Sequence, residues 1–494
     1  MLIRNLLAAL ALVSAFAVSS LPAATQEFYG RSGNAIELDF GALPGVPSGA
    51  MFDNLSLSGF NGHTVLTSSD LAQGTFASDG RLWVFPNPAR DTTATGDTNT
   101  AERGFQGRLE GSIQIDGETK NFAVNVRPGY TGAGRGSVGQ SGERVNRRAN
   151  NPLFVAQQQH RLNYFGFVPE GGGQLVVDGI FGGNTDSAIS TFQAAFIAGV
   201  NTGQSNVDGI VGPNTAGWLN AANAPTWEEL IDPDPQVPGN FSLGGMMGDF
   251  DILPSRDPGT GQRTGLTPQV ERWGTSWAQE LWRNGSALAK AETGQTQLMN
   301  AMSTFDGYGS SFAHNTHRVG MDVDMHVNVA TQNFGDGFLN RAESQLVRIA
   351  TAYIDAGTNA GPNSGRFTRI ISSNEDVLDA IAAVRPGIGT YFDDDGVHLS
   401  HFHWDVGAPA QVSGLADLAG DFNLDGQVDA SDYLVWQRGS SPNPLSATDL
   451  NTWQANFGAN VAASVVASVP EPSTLVVVLL ASAALACSRV GVRH

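Results

Sequence analysis

The sequence predicts a multidomain chain. It reads as an N-terminal all-β sandwich, a small three-helix bundle, an α+β domain with an antiparallel sheet, and an EF-hand-like calcium module. Three observations carry this reading. The chain has 494 residues, too many for one ordinary hydrophobic core. Its apolar periodicity changes from two to helical near Pro152 and returns to two at about Gly320. Near the C-terminal end, oxygen-bearing side chains alternate around a glycine in the pattern of a calcium loop.

Residues 1–25 read as a secretory signal peptide. A basic start at Arg4 precedes an apolar run from Leu6 to Val18 and then small residues. Such a segment is removed and takes no part in the fold. The net charge of −20 disfavours nucleic acid and anionic lipid as partners. The only cysteine is Cys487 near the C-terminus, so the body has no disulfide and no thiolate metal ligand. Any metal there must be held by His, Asp or Glu.

Residues 26–130 alternate in short runs such as "AIELDF", "RLWVFP" and "FAVNVRP", separated by Gly, Pro, Asn and Asp. That pattern predicts a β-sandwich, with no site legible in it. Residues 131–151 are rich in Gly and Arg and read as a linker.

Residues 152–222 switch to helical spacing. "VVDGIFGGNTDSAISTFQ" gives a turn and an amphipathic helix, and "VDGIVGPNTAGWL" repeats the turn from Val207. Asp178-Gly179 makes the first turn, and Asn184 or Thr185 can cap the helix that follows. The segment resembles the three-helix peptidoglycan-binding domain of many wall hydrolases. The resemblance implies peptidoglycan as a partner. Residues 223–240, with "DPDPQVPGN", read as a Pro-rich linker.

Residues 241–408 hold the chemistry. "HNTHRVGMDVDMH" runs from His314 to His326. Alternation from Gly320 puts Asp322, Asp324 and His326 on one strand face, with Met321, Val323 and Met325 on the other. Downstream, "HLSHFHWDV" puts His401 and His403 on one face and Phe402 and Trp404 on the opposite one. Two such strands side by side make a three-ligand cation site. Imidazole plus carboxylate with an open position suits zinc.

These residues resemble the penicillin-insensitive murein endopeptidases and, more widely, the LAS metallopeptidases that include D-Ala-D-Ala carboxypeptidases. The pattern is His, two residues, Gly, three residues, Asp, then a distant His-x-His, met here by His317, Gly320, Asp324, His401 and His403. The longer forms add His314 and His398. Thr316 stands where the family usually has Ser. The resemblance implies Zn2+ ligands His317, Asp324 and His403, with His314 lining the pocket or touching a second metal. Ser400 stands where related carboxypeptidases place an acid, so the general base and acid fall to His401 or His398. Asp322 reads as a residue that steadies a ligand imidazole. Arg256, Arg263 and Arg272 are candidates for a substrate-binding arginine.

Residues 415–460 include "GDFNLDGQVDASDYLVW". Asp421, Asn423, Asp425, the carbonyl of Gln427, Asp429 and Asp432 fall at the ligand positions of a Ca2+ loop, with Gly426 at the sharp turn. This resembles one half of a type I dockerin, with "ATDLNTWQANFG" as a later helix. The resemblance implies a cohesin-like partner, and a calcium-stiffened spacer is the other reading. Residues 469–494 order Pro-Glu-Pro, an apolar run of about 13 residues, then arginines. That run is short of the roughly 20 residues that span a bilayer. The tail resembles a PEP-CTERM sorting signal, which implies sorting machinery at the inner membrane and cleavage near Pro470–Pro472. The expected location is exported: periplasm, outer surface or extracellular matrix of a bacterium with an outer membrane.

The expected activity is that of a zinc-dependent peptidoglycan peptidase, a murein DD-endopeptidase or carboxypeptidase, cutting a D-amino-acid amide in cross-links or stem peptides. The other expectation is a non-catalytic wall-binding surface protein with structural zinc and calcium.

Overall fold

The structure is a computed structural model. It describes residues 25–88, 104–131, 151–167, 169, 173–198, 207–229, 250–252, 255–256, 263–265, 273–295, 297–303, 317–327, 343–394, 398, 401–410, 412–413, 418–424 and 426–460. The signal peptide, the first linker and the sorting tail expected from the sequence lie outside these residues, except that Thr25, Thr131 and Asn151 are described. Among the described residues no helix is long and apolar enough to cross a membrane.

Among the described residues, seven strands form the N-terminal unit: β1 (Gln26–Arg31), β2 (Ile36–Asp39), β3 (Phe52–Ser56), β4 (Thr64–Thr67), β5 (Arg81–Phe85), β6 (Gly107–Ile115) and β7 (Glu118–Arg127), with a one-turn helix α1 (Phe76–Asp79). They make two sheets, ordered β1-β7-β6-β3 and β2-β5-β4. Alternate apolar residues from both sheets, among them Phe28, Leu38, Phe52, Val84, Ile113 and Phe122, share one core. The β6–β7 hairpin turns on Asp116-Gly117, both at positive φ (50° and 81°). A tight two-residue turn requires that conformation at both positions.

The helical unit comprises α2 (Pro152–Phe165), α3 (Gly183–Gln193), which runs on into a π turn at Ala194–Ala198, and α4 (Pro213–Leu219). Asn151 caps α2, accepting from the Leu153 N–H, and Pro152 opens the helix where no N–H is needed. A glutamine explains each repeated turn. Gln159 receives the Asp178 and Gly179 N–H groups at 3.0 Å and donates to Asp178 Oδ1 and the Ile180 carbonyl. Gln193 does the same for the Asp208 turn, receiving Asp208 and Gly209 and donating to Asp208 Oδ1 and the Ile210 carbonyl. Two buried amides thus satisfy two otherwise orphaned turns.

Adjacent residues of α2 bind this unit to the sandwich. Arg161, fully buried, donates to Asn34 Oδ1, the Thr131 carbonyl and the Leu219 carbonyl. Its guanidinium also lies 4.6 Å from the Tyr130 ring centroid. His160 sits 2.9 Å from the Ser32 carbonyl and packs edge-on against Phe85. Burial pushes the His160 imidazole down to about 3.

The third unit is built on β8 (Trp227–Glu229), β9 (Phe250–Ile252), β10 (Ser255–Arg256), β11 (Arg263–Gly265), β12 (Trp273–Thr275), β13 (Gln297–Ala301), β14 (Asp322–Val327), β15 (Arg366–Ser372), β16 (Gly389–Phe392) and β17 (Phe402–Gly407). The main sheet has six strands ordered β16-β15-β17-β14-β13-β9. Its centre is antiparallel, as expected, but both edge pairings, β15 with β16 and β13 with β9, are parallel. The sheet is therefore mixed. The helix α7 (Glu375–Val384) carries the chain from β15 to β16 and so makes a parallel crossover.

The helices α5 (Ser276–Thr293) and α6 (Glu343–Asn359) pack on each other and supply the apolar cover of the sheet. The Trp404 ring stacks on Tyr353 of α6 with centroids 5.8 Å apart, and Phe367 lies 4.7 Å away. The stretch read as a linker from residue 223 is structured at its start. Trp227 is buried, and β8 pairs with β12. The last unit has α8 (Ala430–Gln437) and α9 (Ala447–Asn456) after the Asp-rich loop.

His160 gives a pH test. Its folded value, about 3, is below the unfolded 6.5, so the unfolded chain binds the extra proton in between. The stability it supports is complete above pH 6.5 and is lost as pH falls towards 3. From pH 7.5 to 4.5 the His160 part of the loss is about 2 to 3 kcal/mol. Denaturant melts at the two pH values should show that much less loss in His160→Gln than in the wild type.

Candidate metal centre

The site starts from strand pairing. β14 and β17 are antiparallel neighbours, with Asp324 opposite His403, Asp322 opposite Asp405 and Val323 opposite Trp404. Register fixes the faces. Val323, Met325, Phe402 and Trp404 enter the apolar core, so Asp322, Asp324, His401, His403 and Asp405 share the opposite face.

His317 arrives from a 3-10 turn, His317–Val319, just before β14. Gly320 closes that turn at φ +61°. A Cβ there would come within 2.5 Å of Gly274 Cα and of the Trp227 ring. Only glycine fits both the conformation and the space. The glycine in the His-x-x-Gly pattern thus lets the His317 turn press against β12 and Trp227.

The three expected ligands come together. His317, Asp324 and His403 each offer one ligand atom, all within 4.8 Å of one another, and the group could hold a metal ion. Asp324 Oδ1 lies 3.5 Å from His317 Nε2 and 2.9 Å from His403 Nδ1. His317 and Asp324 are 0 % exposed and His403 is 3 %. Two imidazole nitrogens and one carboxylate oxygen, all buried, are a donor set that fits zinc. Burial pushes the Asp324 carboxyl up, but the His317 and His401 charges and its hydrogen bonds overcome this and hold it well below the usual carboxylate range. Burial likewise pushes His403 down, yet Asp324 and Asp405 outweigh it and push it up to about 10.

The residue steadying His403 is one that the sequence reading missed. Asp405 Oδ1 lies 3.1 Å from His403 Nε2, and Asp405 Oδ2 accepts from Arg369 Nε of β15. Asp322, expected to steady a ligand imidazole, comes to 4.0 Å of His403 Nε2. Its backbone carbonyl instead lies 3.3 Å from His317 Nδ1. Asp322, His403 and Asp405 also fall within 4.8 Å of one another. Arg369 already supplies positive charge to that group, which makes it a support for His403 rather than a second cation site. Period two from His403 was the signal that could have marked Asp405.

The remaining histidines surround the triad. His401 Nε2 lies 3.6 Å from Asp324 Oδ1. His398 Nδ1 is 3.3 Å from Asp393 Oδ2, and its ring centroid is 5.1 Å from that of His401. His326, two positions after Asp324, packs on His401 with centroids 5.1 Å apart. His314, Thr316 and Ser400 lie outside the described residues. Of the three arginine candidates, Arg256 pairs opposite Arg263 in the β10–β11 ribbon, and Arg272 lies outside the described residues.

The Asp-rich loop folds around Asp432, which is fully buried. Its carboxylate accepts the Phe422, Asn423 and Asp429 N–H groups at 2.7 to 3.0 Å. Asp421 is also buried and accepts from the Gly426 N–H, while Asp429 caps α8 through the Ser431 N–H. Asn423 is buried and Gln427 is exposed, bridging to Asn460; Asp425 lies outside the described residues.

Residues 153–219 match the peptidoglycan binding domain family. The match falls within the helical unit and supports cell-wall association, with peptidoglycan as a partner of that unit. No curated protein matches the chain.

A divalent ion must displace the proton that the carboxylates hold on His403. Apparent Zn2+ affinity should therefore rise about tenfold per pH unit through neutrality. Competition with a chromogenic chelator at pH 6, 7 and 8 reads this slope. Asp405→Asn should weaken binding about 10- to 100-fold, whereas His403→Ala should lose it entirely.

Proposed function

We propose that this protein is an exported, zinc-dependent peptidoglycan peptidase that hydrolyses a D-amino-acid amide bond in murein cross-links or stem peptides. One observation carries the reading. The buried His317–Asp324–His403 group, ringed by further histidines, belongs to a chain that also has a peptidoglycan-binding domain. In this reading the wall-binding domain raises the local concentration of substrate at the site.

Zinc held by His317, Asp324 and His403 would polarise the scissile carbonyl and lower the pKa of water. The protein supplies the rest. His317 is oriented by the Asp322 carbonyl, and His403 by Asp405. His401, beside Asp324, would take a proton from the attacking water and return it to the leaving amine. His398, braced by Asp393, is the second candidate for one of these transfers. An imidazole suits both directions because it titrates near neutral pH. The acidic loop at Asp421, Asn423, Asp425, Gln427, Asp429 and Asp432 is read as a Ca2+ site that stiffens the C-terminal module. Its oxygen-only donors fit that hard cation.

Purified sacculi test the proposal. Incubation with the zinc-loaded protein should release new muropeptides whose mass identifies the amide cut, and a chelator should stop the release. His401→Ala should retain stoichiometric zinc and lose about 100- to 10,000-fold in rate, the range for a general base. Intact sacculi after incubation with the zinc-loaded wild type would instead assign the chain to wall binding without catalysis.

A further inference from the structure

The C-terminal module lies against the N-terminal sandwich. Gln26 Nε2 of β1 donates to Ser440 Oγ at 2.6 Å. Arg438 stands beside the Glu27 carboxylate and the Tyr29 hydroxyl of the same strand. Gly439 approaches so closely that a Cβ would come within 2.5 Å of Pro44 Cγ, and its φ of +69° also favours glycine. Next to these contacts is a cleft of about 340 Å³, walled by Phe28, Gly30 and Ile36 on one side and Gly420, Phe422 and Asp449 on the other. Two segments far apart in the chain therefore meet, at charged, polar and close-packed points alike.

The sandwich gives this contact a physical reason. Among the described residues, β1 is the edge of the four-stranded sheet and pairs on one side only, with β7. An edge strand left bare is a template for pairing with other chains, and proteins cover such edges. The Arg438–Ser440 segment follows directly on α8. Asp429 and Asp432 fix the start of α8 through a capping box, and Asp432 is also the centre of the acidic loop. The loop that would take calcium thus sets where the docking segment points.

We propose that residues 418–460 dock in cis on the β1 edge of the sandwich, so that the partner of this dockerin-like module is its own chain rather than a second protein. The module closes the chain on itself, and the N-terminal strand is held at both sides. This holds whether or not the chain cuts peptidoglycan.

Cross-linking of the full chain tests it. In a Cys487→Ser background, Gln26→Cys with Ser440→Cys should be joined within one monomer by a short bis-maleimide. A control pair, exposed Val176→Cys with Ser440→Cys, should react far more slowly. Hydrogen exchange gives a second measurement. Ser440→Trp wedges the contact, and the outer amides of β1 should lose about tenfold in protection while α8 and α9 keep theirs. Linked dimers in place of closed monomers, a rate no faster than the control pair, or unchanged β1 protection would each overturn docking in cis.

Discussion

A carboxylate that is fully buried must be neutralised, and Asp324 sets that condition for the domain built on the six-stranded sheet. It sits in the middle of the main sheet, on a strand whose other face is packed with Met and Val side chains. Taking an isolated charge out of water costs far more than one contact returns. The protein answers with imidazoles: His317, His401 and His403 all lie within 3.6 Å of the same oxygen. Burial pushes the His403 imidazole down, but Asp324 and Asp405 hold it up at about 10, so its proton offsets part of this charge. A divalent ion would balance it better, because it replaces the proton and satisfies several donors at once. The site could in this sense hold a cation, and its histidines answer one buried acid.

The same logic extends outward. Once His403 is charged or metal-bound, its second nitrogen needs an acceptor, and Asp405 provides one. Asp405 then needs its own partner, and Arg369 on the adjoining strand reaches it. Three neighbouring strands, β14, β17 and β15, are joined by this polar chain on one face and by Trp404 and Phe367 on the other. Antiparallel register is what makes this work, since it sets Asp322 across from Asp405 and Asp324 across from His403. A slip of one residue would turn the acids into the apolar core.

The strand faces were legible in the sequence because period two survives on both β14 and β17, whereas the choice of His317, Asp324 and His403 as one group came from the resemblance, since His317 lies in a turn outside both strands. The glutamines that organise the repeated Asp-Gly-Ile turns were not, because a buried Gln159 looks like any polar helix residue until its turn is in place. The parallel edges of the main sheet escaped for a similar reason. β9 and β16 are three and four residues long, too short for a pattern, and only the crossover through α7 reveals the direction of β16. The linker reading after residue 222 failed at Trp227, whose burial depends on Gly320, a residue far away in sequence. What pattern alone conveys is the local face of an element. What it misses is who sits on that face from a distance.

Distant contacts also explain why the units do not behave as beads on a string. Among the described residues Arg161 has no acidic partner; it is held by two carbonyls, an amide oxygen and an aromatic ring. Burial lowers it to about 10, which still leaves it charged at neutral pH. These partners come from the sandwich, from Thr131 and Tyr130 just after it, and from the end of the helical unit, so the guanidinium is satisfied only when all are in place. A wall-binding domain fixed in this way presents its outer face in a set direction relative to the sandwich. On the other flank, Trp218 of α4 meets Trp277 of α5 with ring centroids 5.1 Å apart. The helical unit therefore packs against both the sandwich and the domain that carries Asp324, and its orientation to that sheet is set by these contacts.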